Sequence, residues 1–228
     1  MIPAATRPAP QGLVLEDPLQ YLSRKQLIEY RRGQVIYNED QRADGIYLLT
    51  SGRVMVSAPA SDGSEIVLDI YRADQFFGHT GLLGLQHRGE RAITLERSSA
   101  MFWTVEEIED QIQKHPRLGV ALMQVLLLRN TEFAQRIESM ANEKTPERVA
   151  RILLRFADTL GETSADGAIR MPPLTHQTIS NCIGTSREIV TFQMNRLRQL
   201  GYMRYSRRGI EIYGDALRDR LRQGPLEQ

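Results

Sequence analysis

Cysteine is nearly absent: Cys182 stands alone among 228 residues. One cysteine excludes an internal disulfide framework, a cysteine-ligated zinc site and an iron–sulfur cluster held by a single chain. Histidine is also scarce. Four are present, with no H-x-H or H-E-x-x-H spacing, which argues against a zinc hydrolase; a jelly-roll metalloenzyme would need clustered ligands where only His79 and His87 are available. No metal ligands and no catalytic residues are therefore expected. There is no apolar run of about 18 residues to span a membrane, and the start, Met1 to Pro10, has no apolar signal core, so a cytoplasmic protein without a membrane partner is expected. Net charge is small as well, +1 from 29 Lys+Arg and 28 Asp+Glu, which argues against coating nucleic acid over the whole surface.

The small total conceals two unlike parts. Residues 1–145 carry 16 Lys+Arg and 19 Asp+Glu, a net of −3, whereas residues 146–228 carry 13 Arg, no Lys and 9 acids, a net of +4. Between positions 170 and 208, Arg170, Arg187, Arg196, Arg198, Arg204, Arg207 and Arg208 face a single acid, Glu188. A basic tract confined to one end suits a polyanion partner there, or a solvated surface that uses arginine.

Hydrophobic periodicity divides the chain. Residues 1–14, rich in Pro and Ala, are expected to be disordered. Asp17–Glu29 has the composition of a short helix. Short β-branched or aromatic runs follow at Gln34–Tyr37, Gly45–Leu49, Arg53–Ser57, Ile66–Tyr71, Ala92–Glu96 and Met101–Val105, separated by turn residues. Many short strands at close spacing suggest a jelly roll over 15–108. Glu106–His115 reads as a short helix ending near Pro116. In the helical region 109–144, the run 117–144 places Met123, Leu126, Asn130, Phe133, Ile137 and Met140 on a 3-4 repeat, a coiled-coil seam of about three heptads. Leu122, Val125, Leu127, Leu128 and Ala134 form a second apolar face. A core helix of a monomer would use one face; two favour a parallel homodimer, with one face for the roll and one for a second copy.

Thr145-Pro146-Glu147 reads as a helix start with Thr145 as N-cap, opening a domain over 145–228. A helix over Arg148–Leu160 is followed by a strand at Ile169–Met171. Thr175 caps a short helix ending at Ile183, Gly184 breaks it, Thr185 or Ser186 caps a second helix to Leu200, and Gly201 ends that one. Tyr202–Tyr205 and Ile210–Tyr213 read as a two-stranded ribbon. Helix, glycine turn, helix and basic hairpin make a winged helix-turn-helix, or else a plain helical hairpin with surface arginines. Spacing, caps, wing and charge agree on DNA. In that case Arg187 suits guanine O6 and N7, Glu188 cytosine N4, and Thr191 and Phe192 a thymine methyl or the backbone. Thr175, His176, Ser186, Arg196, Arg207 and Arg208 suit the DNA backbone.

Three stretches resemble the CRP/FNR family of transcription regulators over about residues 18–214. Gly33-Gln-Val-Ile-Tyr37 with Gly45-Ile-Tyr-Leu-Leu-Thr-Ser-Gly52 is similar to the first half of the family's cyclic-nucleotide-binding roll. Phe76-Phe-Gly78-His79-Thr80-Gly81, with Arg88-Gly-Glu90-Arg91-Ala92, is similar to its phosphate-binding cassette. Thr175 to Val190 is similar to its helix-turn-helix. The resemblance implies an α+β chain with an N-terminal β-roll, a long dimerisation helix and a C-terminal winged helix-turn-helix. It also implies a homodimer on a two-fold symmetric site in double-stranded DNA that contacts RNA polymerase, most simply as an activator.

Departures from the family pattern fall in the effector pocket. In cyclic AMP-binding members a Gly-Glu pair and an Arg-Ser pair hold ribose and phosphate, and two hydroxyl residues of the long helix hold adenine. Here those positions are Gly78-His79, Arg91-Ala92, and Phe133 with Ala134. Each buried group left unpaired costs about 1–3 kcal/mol, so cyclic AMP is not expected as effector, and Phe133 is expected to fill the pocket. Arg91 suits an anionic effector or a salt bridge with a nearby acid, and Thr80 lies beside it. His79 resembles the haem-ligating histidine of CO-sensing members, although the cysteine expected two residues earlier is Phe77, and this leaves a haem-dependent gas sensor as the alternative. Cys182 reads as a small core residue. The family's second guanine-reading arginine falls on Phe192. Neither the operator nor the effector follows from the sequence, and the helix expected over 215–222 has no functional assignment.

Overall fold

The structure is a computed structural model, and it describes residues 15–61, 63–206, 209–224 and 226. The expected disordered segment 1–14 and the wing-tip residues Arg207 and Arg208 lie outside the described residues.

The first domain is a roll of two antiparallel four-stranded sheets. One has the order β1 (Ile28–Tyr30), β8 (Ser98–Thr104), β3 (Gly45–Ser51), β6 (Gln75–Phe77); the other β2 (Val35–Tyr37), β7 (Arg91–Thr94), β4 (Arg53–Pro59), β5 (Glu65–Arg72). Alternation along the strands sends Leu49, Val54, Val56, Tyr71, Phe77 and Ala92 into the space between the sheets. The six expected strands are present. Strands β1 and β6 were not expected, because three residues are too few to show a period of two and exist as strands only through their pairing with β8 and β3. The helix expected over Asp17–Glu29 is not formed. A single 3-10 turn, Pro18–Gln20, is capped by Asp17. Beyond it Trp103 Nε1 donates to the Ser23 carbonyl at 3.0 Å, and the chain joins the sheet as β1.

Strand β8 gives way to helix α1 (Val105–Lys114), so Val105 begins a helix instead of ending a strand. Thr104 and Glu107 form a reciprocal capping box at its start. Helix α2 (Arg117–Asn142) seats Leu118, Ala121 and Leu122 on the roll beside Phe76, Trp103 and Ile108. Of the second apolar face, only Leu122 and Val125 reach the roll; Leu127, Leu128 and Ala134 are exposed, because beyond Val125 the helix meets the roll through Arg129 and Arg136 on β5 instead of through this face.

Helix α3 (Thr145–Leu160) opens the second domain. Its N-cap is Lys144, with no side-chain cap, and Thr145 is the first helical residue, its Oγ1 accepting from Arg148 Nη2 at 3.2 Å. Strands β9 (Glu162–Thr163) and β10 (Ile169–Met171), helices α4 (His176–Ile183) and α5 (Arg187–Gln199), strands β11 (Met203–Ser206) and β12 (Gly209–Ile212), and helix α6 (Gly214–Arg222) follow. The wing is a four-stranded sheet ordered β11, β12, β10, β9, where two strands were expected. The core of this domain continues onto the roll: Val67 and Ile70 of β5 are buried in one cluster with Val149, Leu153, Ile179 and Cys182. Burial pushes the Cys182 thiol up to about 12, which leaves it a packed, protonated core residue.

Candidate nucleic-acid interface and effector pocket

Two turns place the α4–α5 pair. Thr175 Oγ1 accepts from the Thr178 N–H at 3.0 Å and starts α4. Gly184 ends it at φ +65°, a left-handed conformation that side chains with a Cβ rarely adopt. Ser186 Oγ then accepts from the Ile189 N–H at 3.3 Å and starts α5. Val190, Met194 and Leu197 are buried against the rest of the domain. A period of 3.6 therefore turns Arg187, Glu188 and Phe192 outward; all three are exposed, Phe192 by 64%. Hydrogen bonds from its own backbone N–H and the Ser186 side chain hold the Glu188 carboxyl below the usual carboxylate range.

Thr191 differs from its neighbours. Its hydroxyl donates to the Arg187 carbonyl at 2.8 Å and so accepts from His176 Nδ1 at 2.7 Å. The His176 ring also meets Tyr205 edge-on at 5.6 Å, and Tyr205 donates to Asn195 Oδ1 at 2.9 Å. First helix, recognition helix and wing strand are thus joined by one polar chain. Tyr205 and Asn195 were not singled out in the sequence, where nothing marks two residues ten apart as partners. Burial, with the Arg187 charge added, lowers the His176 pKa. Arg196, half-buried in the last turn of α5, points Nη2 at the Leu226 carbonyl at 2.7 Å.

In the roll, Gly78 at φ +73° begins a 3-10 turn, His79–Leu83. That turn lies so close to β3 that a Cβ on Gly81 would sit 1.7 Å from the Gly45 carbonyl oxygen. The His79 ring is largely buried, and its Nε2 has no hydrogen-bond partner among the described residues. Burial first, and then the Arg129 charge, lower its pKa to about 4, so the imidazole is neutral. Thr80 Oγ1 and the Tyr37 hydroxyl both donate to Glu90 Oε1, at 3.0 and 2.9 Å. The Arg88 guanidinium, 3% exposed, donates to the Gly78 and Gly45 carbonyls and to Asp44 Oδ1, and lies 4.2 Å from the Tyr37 ring centre. These partners fix Arg88 as the buried brace of the cassette, a role the sequence did not reveal.

The salt bridge offered as one role for Arg91 is not formed among the described residues, and its Nε is buried without a partner. Ala92 is fully buried in the roll core. Phe133 does not fill the pocket of its own chain; it is 40% exposed, with the Arg136 guanidinium 5.8 Å from its ring centre. Ala134 is exposed as well. On the same helix Arg129 pairs with Asp69 and Glu132, both at 2.9 Å, and lies over the Tyr71 ring at 4.6 Å. The sequence signal for Arg129 was a lone arginine after three leucines. Met123, Leu126, Phe133, Ile137 and Met140 are all exposed, Ile137 by 68%, and Asn130 lies exposed among them.

Among the described residues no group of three or more His, Cys, Asp or Glu is placed to hold a metal ion, and no helix is long and apolar enough to cross a membrane.

Comparison with known proteins matches both halves. Residues 27–115 match the cyclic nucleotide-binding domain family and residues 147–219 the Crp-like helix-turn-helix domain family. A CRP-like cAMP-activated global transcriptional regulator of Mycobacterium tuberculosis is 27% identical over 188 residues, covering 82% of this chain and 84% of its own. A global nitrogen regulator of Synechococcus elongatus is 26% identical over 190 residues, covering 82% and 86%. Among solved structures, a CRP/FNR-family transcriptional regulator of Thermus thermophilus superposes with a TM-score of 0.71 at 25% identity, covering 85% of this chain and 97% of its own.

Proposed function

The chain belongs to the CRP/FNR family of transcription regulators, and from that premise we propose a cytoplasmic homodimer that reads a two-fold symmetric operator, activates transcription through contact with RNA polymerase, and does not answer to cyclic AMP. The observation that carries the DNA reading is the exposed Arg187–Glu188 pair on the first turn of a capped helix whose opposite face is buried. Arg187 serves guanine and Glu188 cytosine. Phe192 and the methyl of Thr191, whose hydroxyl is already paired, serve a thymine methyl. Thr175, His176 and Ser186 serve the DNA backbone, a role the sequence also gives Arg207 and Arg208, which lie outside the described residues. The exposed seam of α2 pairs two copies, which sets their recognition helices the required distance apart, about 34–36 Å.

Control follows from what the pocket offers. His79 replaces the ribose acceptor, Ala92 a phosphate donor, and Phe133 and Ala134 the adenine contacts, so cyclic AMP loses most of its partners although several relatives bear cyclic AMP names. The unpaired Nε of Arg91 favours an anionic effector. The experiment is to select duplexes from a random pool and titrate the selected site with and without cyclic AMP. A palindromic site bound equally in both is expected; a large gain with cyclic AMP refutes the effector reading, and failure to enrich any duplex refutes the DNA reading.

A second reading, a haem-dependent gas sensor, is favoured by one observation, the unpaired Nε2 of His79, a neutral imidazole nitrogen able to ligate iron. A Soret band lost in His79→Ala supports it; colourless protein from haem-replete cells excludes it.

A further inference from the structure

The chain after the wing doubles back along two helices of the DNA-binding domain. Helix α6 packs fully buried Leu217 against the domain core, and Arg218 pairs with Asp158 near the far end of α3. The segment then returns to the other end of α3. There the Leu226 N–H donates to Glu147 Oε1 at 2.7 Å, in the first turn of α3, and the Leu226 carbonyl accepts from Arg196 Nη2 at 2.7 Å, in the last turn of the recognition helix. The Leu226 side chain is 3% exposed within the same core as Val149 and Leu197. Both peptide groups of one residue are thus held by charged side chains from two different helices, and charge-assisted hydrogen bonds are the stronger and more directional class.

From this geometry we propose that helix α6 and Leu226 form a strap that fixes the tilt of the recognition helix, and that Arg196 is a positioning residue for operator reading instead of a phosphate contact. The inner face of α5 is apolar, Val190, Met194 and Leu197, and apolar packing alone is non-directional. Arg196 lies nine residues beyond Arg187, about 13 Å along the helix. A tilt of about 5° about that end moves Arg187 by about 1 Å, enough to spoil a bidentate contact to a base edge. The strap adds a charge-assisted anchor at the end remote from the bases, beside the Asn195–Tyr205 hydrogen bond that ties the same end to the wing.

The inference rests on the DNA-binding reading, and its test separates the two. The probe is the duplex that the full chain selects from a random pool. Three single changes, Arg196→Ala, Arg196→Gln and a chain ended after Gly224, are titrated on it across salt, together with the combination of the first and the third. A strap weakens binding about tenfold in Arg196→Ala and in the shortened chain, with the salt slope of the full chain in both. Glutamine keeps an N–H donor and drops the charge, so Arg196→Gln recovers most of the affinity. Arg196→Ala in the shortened chain is no weaker than either change alone, because both cut the same link. A salt slope reduced by about one in both Arg196 variants, with normal binding by the shortened chain, makes Arg196 a phosphate contact and overturns the proposal; so does unchanged affinity in all three. Should the shortened chain unfold, the contrast between Ala and Gln at position 196 decides. If the full chain selects no duplex, the DNA-binding reading fails first.

Discussion

Asp69 of β5 and Arg155 of α3, 86 residues apart, meet at 2.9 Å through Oδ1 and Nη2. The other carboxylate oxygen takes Arg129 of α2, also at 2.9 Å. Asp69 is only 6% exposed, so its charge is tolerable only with both arginines in place. One carboxylate thereby joins the roll, the long helix α2 and the helix-turn-helix domain. Arg136 adds hydrogen bonds to the Leu68 and Val67 carbonyls beside it.

Asp69→Ala removes the buried acid shared by two arginines and leaves them only the more exposed Glu132, at 2.9 Å from Arg129 and 3.7 Å from Arg155. A loss of about 3 kcal/mol is expected, as for one member of a buried ion pair removed. It appears in urea denaturation as a lower midpoint and a separation of the two domains' transitions. A single transition at the wild-type midpoint contradicts the linking role.

The His79 imidazole has a folded pKa of about 4, against an ordinary value of 6.5. The unfolded chain therefore binds more protons between these values, and stability rises with pH there. The contribution is complete above about pH 6.5 and is lost progressively as pH falls towards 4, in total about 3 kcal/mol. His79→Gln should flatten that part of the stability profile; a slope identical to wild type rules out His79 as its source.

Arg187→Ala removes a base-edge contact without touching the buried face of α5. A loss of about 1–3 kcal/mol on the selected operator is expected, with preference relaxed at one base pair of each half-site. Site selection repeated with the variant reads this directly, and an unchanged preference removes Arg187 from base reading.

Ile137→Glu puts a charge in the exposed seam of α2, where the Ile137 side chain is mostly in solvent in the single chain. Sedimentation should give a monomer with an unchanged far-ultraviolet spectrum and lost operator binding, because one half-site alone binds weakly. A dimer that survives the substitution places the interface elsewhere.

The helix-turn-helix was legible residue by residue. Thr175, Gly184, Ser186 and Gly201 are local signals whose meaning depends on backbone geometry alone, and each stands where its chemistry requires. The apolar stripe of α2 was equally plain, since a 3-4 repeat is a property of the helix itself. The pocket was legible only by position. That His79 is buried without a partner among the described residues, that Glu90 is shared by Tyr37 and Thr80, and that Arg88 braces Gly78 and Gly45 depend on segments brought together from distant parts of the chain. The strap was invisible for the same reason: a helix over 215–222 was expected, but nothing in its sequence pairs Leu226 with Glu147 and Arg196.

What the sequence determined by itself was the set of local elements, the charge asymmetry that marks one end for DNA, and the missing cysteines that exclude a cluster. Backbone propensity, caps and composition act over a few residues, so they can be read in order. Only the tertiary structure decided which charges are shared. Asp69 among two arginines, and Arg196 turned from an apparent surface cation to the Leu226 carbonyl, are outcomes of burial: a low-dielectric contact makes a charged group take whatever partner the fold brings within reach, and the chain order does not say which that is.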